Sequence, residues 1–207
     1  MYIPAHFHED DLVLLHEMMR AYNFGTLVTC QDRVPFATHL PFHLDAERGA
    51  YGTLRAHLAR ANPQWRSFPS EEEVLALFQG PHAYISPSWY EMHPSVPTWN
   101  YIAIHAYGVP RLLDEAALRA ALADLVHTHE APLEPPWRFE DLPEEYVQKM
   151  LRGIVGFEIE ITRLEGKFKL SQNRSEADRR SVAERLRQTG DAQLAALADL
   201  MSHTGAE

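Results

Sequence analysis

Residues 166–175 read GKFKLSQNRS and gather two of the chain's three lysines, Lys167 and Lys169, with Ser171, Gln172, Asn173 and Arg174 close behind. Cations at period two followed by a row of hydrogen-bond donors can hold an anionic, polar ligand through charge-assisted bonds. The setting sharpens the question, because the chain's formal net charge is -10 and its pI is near 5.6. A broad phosphate-neutralising face is thereby disfavoured, and any polyanion site must be local. A second set lies in LRAHLARANPQW, where Arg55, His57 and Arg60 stand at an expected passage from strand to short helix. The first amides of such a helix lack intrahelical partners and favour an anion. Solvated arginines and a capping histidine are the alternative. A third set is Trp99-Asn100-Tyr101, which could stack on a planar ring and bond its edge, or form an aromatic core row.

Other chemistries are weaker. The twelve histidines include His6-Phe7-His8 and His127-Thr128-His129, but no HExxH or other supporting ligand pattern accompanies them, so no metal site is expected. Cys30, the sole cysteine, excludes an intrachain disulfide and any CxxC motif; it is expected as a small buried residue in a strand. There is no Walker A loop, dinucleotide GxGxxG or GxSxG elbow. The last two helical segments look like a helix-turn-helix, but the second, DAQLAALADLMSH, contains no lysine or arginine to read bases. Direct DNA contact by this pair is not expected. No cationic n-region with an apolar h-region opens the sequence, and no run reaches membrane-spanning length; a cytoplasmic protein without membrane association is expected.

The elements that must position these residues are legible from periodicity. Asp10 and Asp11 can cap a helix carrying Leu12, Leu15, Met19 and Tyr22. TLVTC, VPFATHLPFHL and GAYGTLRA read as strands, the second confined to an edge or bulge by Pro35 and Pro41. In it Val34, Phe36, Leu40, Phe42 and Leu44 share one face with Thr38, and His39 and His43 the other. VLALFQG, HAYIS and WNYIAIHAYGV supply further strands. Asp114 caps a helix, another starts at Pro143, and in GIVGFEIEIT Phe157, Ile159 and Ile161 alternate with Glu158, Glu160 and Thr162. Two helices, broken at Thr189-Gly190, close the chain. Six or seven strands with short connections suit a mainly antiparallel α+β barrel with peripheral helices better than a parallel sheet.

Taken together, MYIP, ATHLPF, HLARANPQW, YISPSWY, VPTWNY and GKFKLSQNR resemble the PaiB-type family of FMN-binding negative transcriptional regulators, over residues 1 to about 180. The resemblance implies an FMN-binding split β-barrel over 1–174, a helical appendage over 175–207 packed on the barrel or a partner subunit, and a homodimer with flavin at its interface. It implies FMN contacts from Lys169, Ser171 and Gln172, from Trp99, Asn100 and Tyr101, and from Thr38, His39, Arg55, His57 and Arg60. Where many relatives read Tyr-Gly before the histidine, this chain has Arg55-Ala56, an added cation. A flavin-dependent oxidoreductase, flavin reductase-like or heme-degrading, is the alternative on the same fold. No side chain declares itself an acid or base, so catalytic residues stay unassigned.

Overall fold

The computed structural model describes residues 1–70 and 72–203. In chain order the strands and α-helices are β1 (His8–Glu9), α1 (Leu12–Ala21), β2 (Phe24–Gln31), β3 (Val34–Pro41), β4 (His43–Asp45), β5 (Thr53–Ala59), β6 (Val74–Ile85) and β7 (Thr98–Gly108). There follow β8 (Pro110–Leu112), α2 (Glu115–Glu130), α3 (Glu144–Leu151), β9 (Ile154–Glu160), β10 (Arg163–Lys169), α4 (Glu176–Gln188) and α5 (Ala192–His203). The residues form two compact units, one of 1–15, 79–105 and 165–207, the other of 16–78 and 106–164.

In the first unit the strand order is β1-β10-β7-β6, with His8 opposite Lys167 and Glu9 opposite Gly166. Period two gives this sheet a buried face of Ala83, Ile85, Ile102, Ile104, Phe168 and Leu170. The other face carries His82, Tyr84, Trp99, Tyr101, Lys167 and Lys169. In α4 and α5, Val182, Leu186, Leu197 and Ala198 are buried. Ser175 caps α4 by accepting from the Asp178 amide at 3.1 Å.

The second unit has the order β6-β2-β3 in one antiparallel sheet and β4-β5-β9-β8 in another. Phe157 and Ile159 are fully buried, as the alternation in β9 predicts, each such burial stabilising by roughly 1.5–3 kcal/mol. Ring pairs Phe42–Phe78 at 5.3 Å and Phe68–Phe157 at 4.9 Å fill this core. Asp114 accepts from the Ala117 amide at 2.8 Å to cap α2, whose Leu118 meets Val147 and Leu151 of α3.

Some expectations are corrected. VPFATHLPFHL is two strands broken at Phe42, and its first half is solvent-exposed, with Val34 and Phe36 at 64% and 40%. These residues pair with the outer end of β2, Gln31 opposite Val34 and Thr29 opposite Phe36, at the tip of an edge hairpin. Cys30 lies in β2 as expected, yet it too is exposed at that tip. The hairpin turns through Asp32 and Arg33, both left-handed at φ 51° and 65°. More strands are present than the sequence suggested because β1, β4 and β8 are only two or three residues long. Such fragments leave no periodic signal.

Candidate functional site

In the first unit, the segment following β10 runs alongside the approach to β7, and polar groups join them step by step. Lys169 Nζ donates to Thr98 Oγ1 and to the Trp99 carbonyl. Asn100 Nδ2 donates to Ser171 Oγ at 2.9 Å, and Ser171 Oγ returns a bond to Asn100 Oδ1 at 3.2 Å. Arg174 donates to Ser95 Oγ at 3.3 Å and lies over the Tyr90 ring at 4.4 Å. The Glu91 and Met92 amides donate to Asp178 Oδ1 at 2.7 and 3.3 Å, and Ser181 Oγ donates to the Trp89 carbonyl at 2.7 Å.

Neighbouring motif residues have different tasks. Asn100 is fully buried, its amide spent on Ser171 and, at 3.5 Å, on Met201 Sδ. Trp99 is 53% exposed, so the core-row alternative for it is set aside. Period two puts Trp99 and Tyr101 on one face of β7 and Asn100 on the other. Gln172 folds back on its own chain: its Oε1 accepts from the Leu170 amide at 2.7 Å and its Nε2 donates to the Phe168 carbonyl. That fold-back needs the left-handed Ser171, at φ 66°, a conformation a buried non-glycine residue holds only when its surroundings fix it.

The outer face is cationic and aromatic. Lys167 donates to the Tyr2 carbonyl at 3.1 Å and lies 5.3 Å from the Tyr101 ring centroid. Tyr84 and His82 stand beside Trp99, centroids 6.1 and 6.2 Å away. Burial, then the charges of Lys167 and Arg174, pushes the Lys169 ammonium pKa below its ordinary value. Among the described residues, none of Lys167, Lys169 and Arg174 is in an ion pair.

The second unit holds the remaining expected residues. Thr38, in β3, accepts at Oγ1 from Asn62 Nδ2 at 2.9 Å, and His39 beside it is exposed. Arg55 and His57 share one face of β5, with His43 of β4 opposite Arg55. The arginine is already neutralised: Nη1 meets Asp124 Oδ2 at 2.9 Å and Nη2 meets Asp45 Oδ2 at 3.6 Å. Burial lowers the His57 pKa; for His43 burial first and Arg55 second do so, against Asp124 and Asp45. Arg60 staples the chain, Nε donating to the Arg152 carbonyl at 2.7 Å and Nη2 to the Ile154 carbonyl at 2.8 Å.

The expected helix after Arg60 is a 3₁₀ helix over Pro63–Ser70. Pro63 has no N–H to offer, and the Gln64 amide is taken by Asn62 Oδ1 at 3.0 Å, so the amide anion site expected there is filled by the chain's own side chain. Sequence reasoning missed Asp178 and Thr98 as members of the first cluster. The pattern Ser175-x-x-Asp178 is a readable capping box, but nothing local tells that its acid reaches another loop.

The family model described as "Putative FMN-binding domain" matches residues 1–163. The chain is 38% identical over 201 residues to the Protease synthase and sporulation protein PAI 2 of Bacillus subtilis (strain 168), covering 97% of this chain and 96% of that protein. Of solved structures, the flavocytochrome Anf3 of Azotobacter vinelandii aligns with TM-score 0.62 at 16% identity, covering 83% of this chain and 74% of that one. The FAD and heme binding protein of Mycobacterium smegmatis aligns with TM-score 0.55 at 12% identity, covering 79% and 73%. Identities this low show the fold alone. Fold and sequence together define an FMN-binding protein of mixed α and β structure with two antiparallel sheets. The chain belongs to the PaiB-type family within that class, and FMN is its cofactor.

Proposed function

We propose that this protein is an FMN-binding negative transcriptional regulator of the PaiB type, acting as a cytoplasmic homodimer. The observation that carries the cofactor assignment is the group Lys167, Lys169 and Arg174, without a carboxylate partner among the described residues in a chain of net charge -10, with Lys167 beside the Tyr101 ring, Lys169 on the Trp99 carbonyl and Arg174 over the Tyr90 ring. A half-buried ammonium held only by neutral oxygens gains from an anionic ligand, and FMN offers a phosphate, a polar ribityl chain and a planar ring. The donor set fits that ligand. Lys169 would supply the charge and Trp99 and Tyr101 the flat surfaces, with Asn100, Ser171 and Gln172 fixing the backbone behind them. Thr38, His39 and His57 are the second unit's proposed contribution, with Arg55 and Arg60, tied to Asp45, Asp124 and the Arg152 and Ile154 carbonyls, holding the chain beside them. His57, its pKa lowered by burial, would act as a neutral hydrogen-bonding group near pH 7.

The regulatory part rests on 38% identity to a relative named for protease synthesis and sporulation. Bound FMN supplies a ring that takes up electrons, so the oxidoreductase alternative needs a direct test. Purified protein loaded with FMN should stay oxidised when NADH or NADPH is added without oxygen; rapid bleaching would replace the regulator by a flavin reductase-like enzyme. Lys169→Ala should remove a charge-assisted bond of roughly 1.5–3 kcal/mol and weaken FMN binding on the order of 10- to 150-fold by flavin fluorescence. Lys167→Ala is the stricter comparison and should cost less, since its ammonium already rests on the Tyr2 and Tyr101 rings. Unchanged FMN affinity in Lys169→Ala, with the melting temperature also unchanged, would remove the ligand role.

A further inference from the structure

The acid at the third position of a capping box ordinarily turns back to the amide of the capping residue. Asp178 holds that position in α4, after Ser175, yet its Oδ1 leaves the helix and accepts from the amides of Glu91 and Met92. The side chain is buried, at 1% exposure. A buried carboxylate is held at a cost unless its bonds are good, and here it takes two backbone donors of a loop. That loop is tied to the same stretch of chain by Ser181 at the Trp89 carbonyl, and by Arg174 at Tyr90 and Ser95. It then delivers Thr98 and Trp99, whose oxygens hold Lys169, and Asn100, whose amide holds Ser171. From α5, Met201 Sδ closes on Asn100 Nδ2.

We infer that Asp178 is a positioning residue for FMN: through the Glu91 and Met92 amides it fixes the 89–95 loop, and with it the arrangement of Trp99, Asn100 and Lys169 that receives the cofactor. The helices expected as an appendage over 175–207 are in this view the brace of the cofactor site, though the matched family model ends at Arg163. The inference rests on the FMN assignment made above for the Lys169 cluster.

The test is FMN affinity of the full-length chain by flavin fluorescence, well below the melting temperature. Asp178→Ala removes both bonds and should weaken binding about tenfold or more, whereas Asp178→Asn keeps an oxygen in place and should restore affinity to within about threefold of wild type. Hydrogen exchange at the Glu91 and Met92 amides should accelerate in Asp178→Ala and stay slow in Asp178→Asn. Leu186→Ala, in the buried face of α4, should lower the melting temperature without moving the FMN affinity. An unchanged affinity in Asp178→Ala, or an equal loss in Leu186→Ala, overturns the positioning role. If Asp178→Ala does not fold, Ser181→Ala takes its place, with a loss of several-fold expected and none overturning the inference. Lys169→Ala measured alongside separates the two ideas. If it binds FMN normally, the site assignment has failed; if it binds weakly while Asp178→Ala binds normally, only the brace has failed.

Discussion

Arg55 is a cation that the sequence makes conspicuous and the structure cancels. Its guanidinium lies between Asp124 and Asp45 and ties α2 to β4 and β5, so its charge is not available to a phosphate as that of Lys169 is. Arg55→Met should therefore reduce FMN affinity by less than about threefold, well short of the Lys169→Ala loss, while lowering stability by about 1 kcal/mol in urea unfolding. His43 and His57 make a pH prediction with a definite sign. Burial is the leading cause that lowers both pKa values from the ordinary 6.5, so below that value the unfolded chain binds protons that the folded chain refuses. Stability from this source is complete above about pH 6.5 and is lost as the pH falls towards the folded-state values. The double variant His43→Gln, His57→Gln should show a smaller drop in urea midpoint between pH 7 and about pH 5.5 than wild type does. An equal drop would mean that these rings do not govern acid sensitivity.

At the scale of elements, the sequence announced what local chemistry controls. Asp114 before α2, Pro143 before α3 and the alternation of Phe157 and Ile159 act within a few residues, and each sits as its pattern required. Asp114→Ala should cost about 1 kcal/mol, read as a lower urea midpoint. What stayed hidden was set by partners far along the chain. Nothing near Asp178 points to Glu91, nothing near Arg55 to Asp124, and the exposed end of β3 looks in sequence like any half-buried strand. Gly108 is another such case, since an added Cβ would stand 2.2 Å from the Glu160 carbonyl oxygen, a backbone atom that cannot swing aside. Gly108→Ala should destabilise by more than about 2 kcal/mol, with a fall in melting temperature and no selective effect on FMN binding.

For the whole molecule, charge sets the expectations. A net charge of -10 predicts weak, non-selective affinity for duplex DNA at physiological salt, with Arg187 further engaged by Asp199 and Arg180 by Glu176. A tight, sequence-selective mobility shift by the protein alone would contradict this and give the C-terminal arginines a surface to read with. Self-association is the second expectation at this scale: sedimentation at micromolar concentration should give a dimer, and a monomer with and without FMN would exclude it. Among the described residues no helix is long and apolar enough to cross a membrane.

The Asp32–Arg33 turn also bears on how fast the chain folds. The hairpin it closes pairs consecutive residues from Gln31 opposite Val34 to Phe24 opposite Pro41, local contacts that need little loop entropy to form. Yet both turn residues sit at positive φ, where glycine or asparagine would close the reverse bend with less steric cost. Arg33→Gly should stabilise the chain by about 1 kcal/mol. If this hairpin is already zipped at the rate-limiting step, the gain will appear mainly in the refolding limb of a stopped-flow chevron. A gain confined to the unfolding limb would place hairpin closure after the barrier.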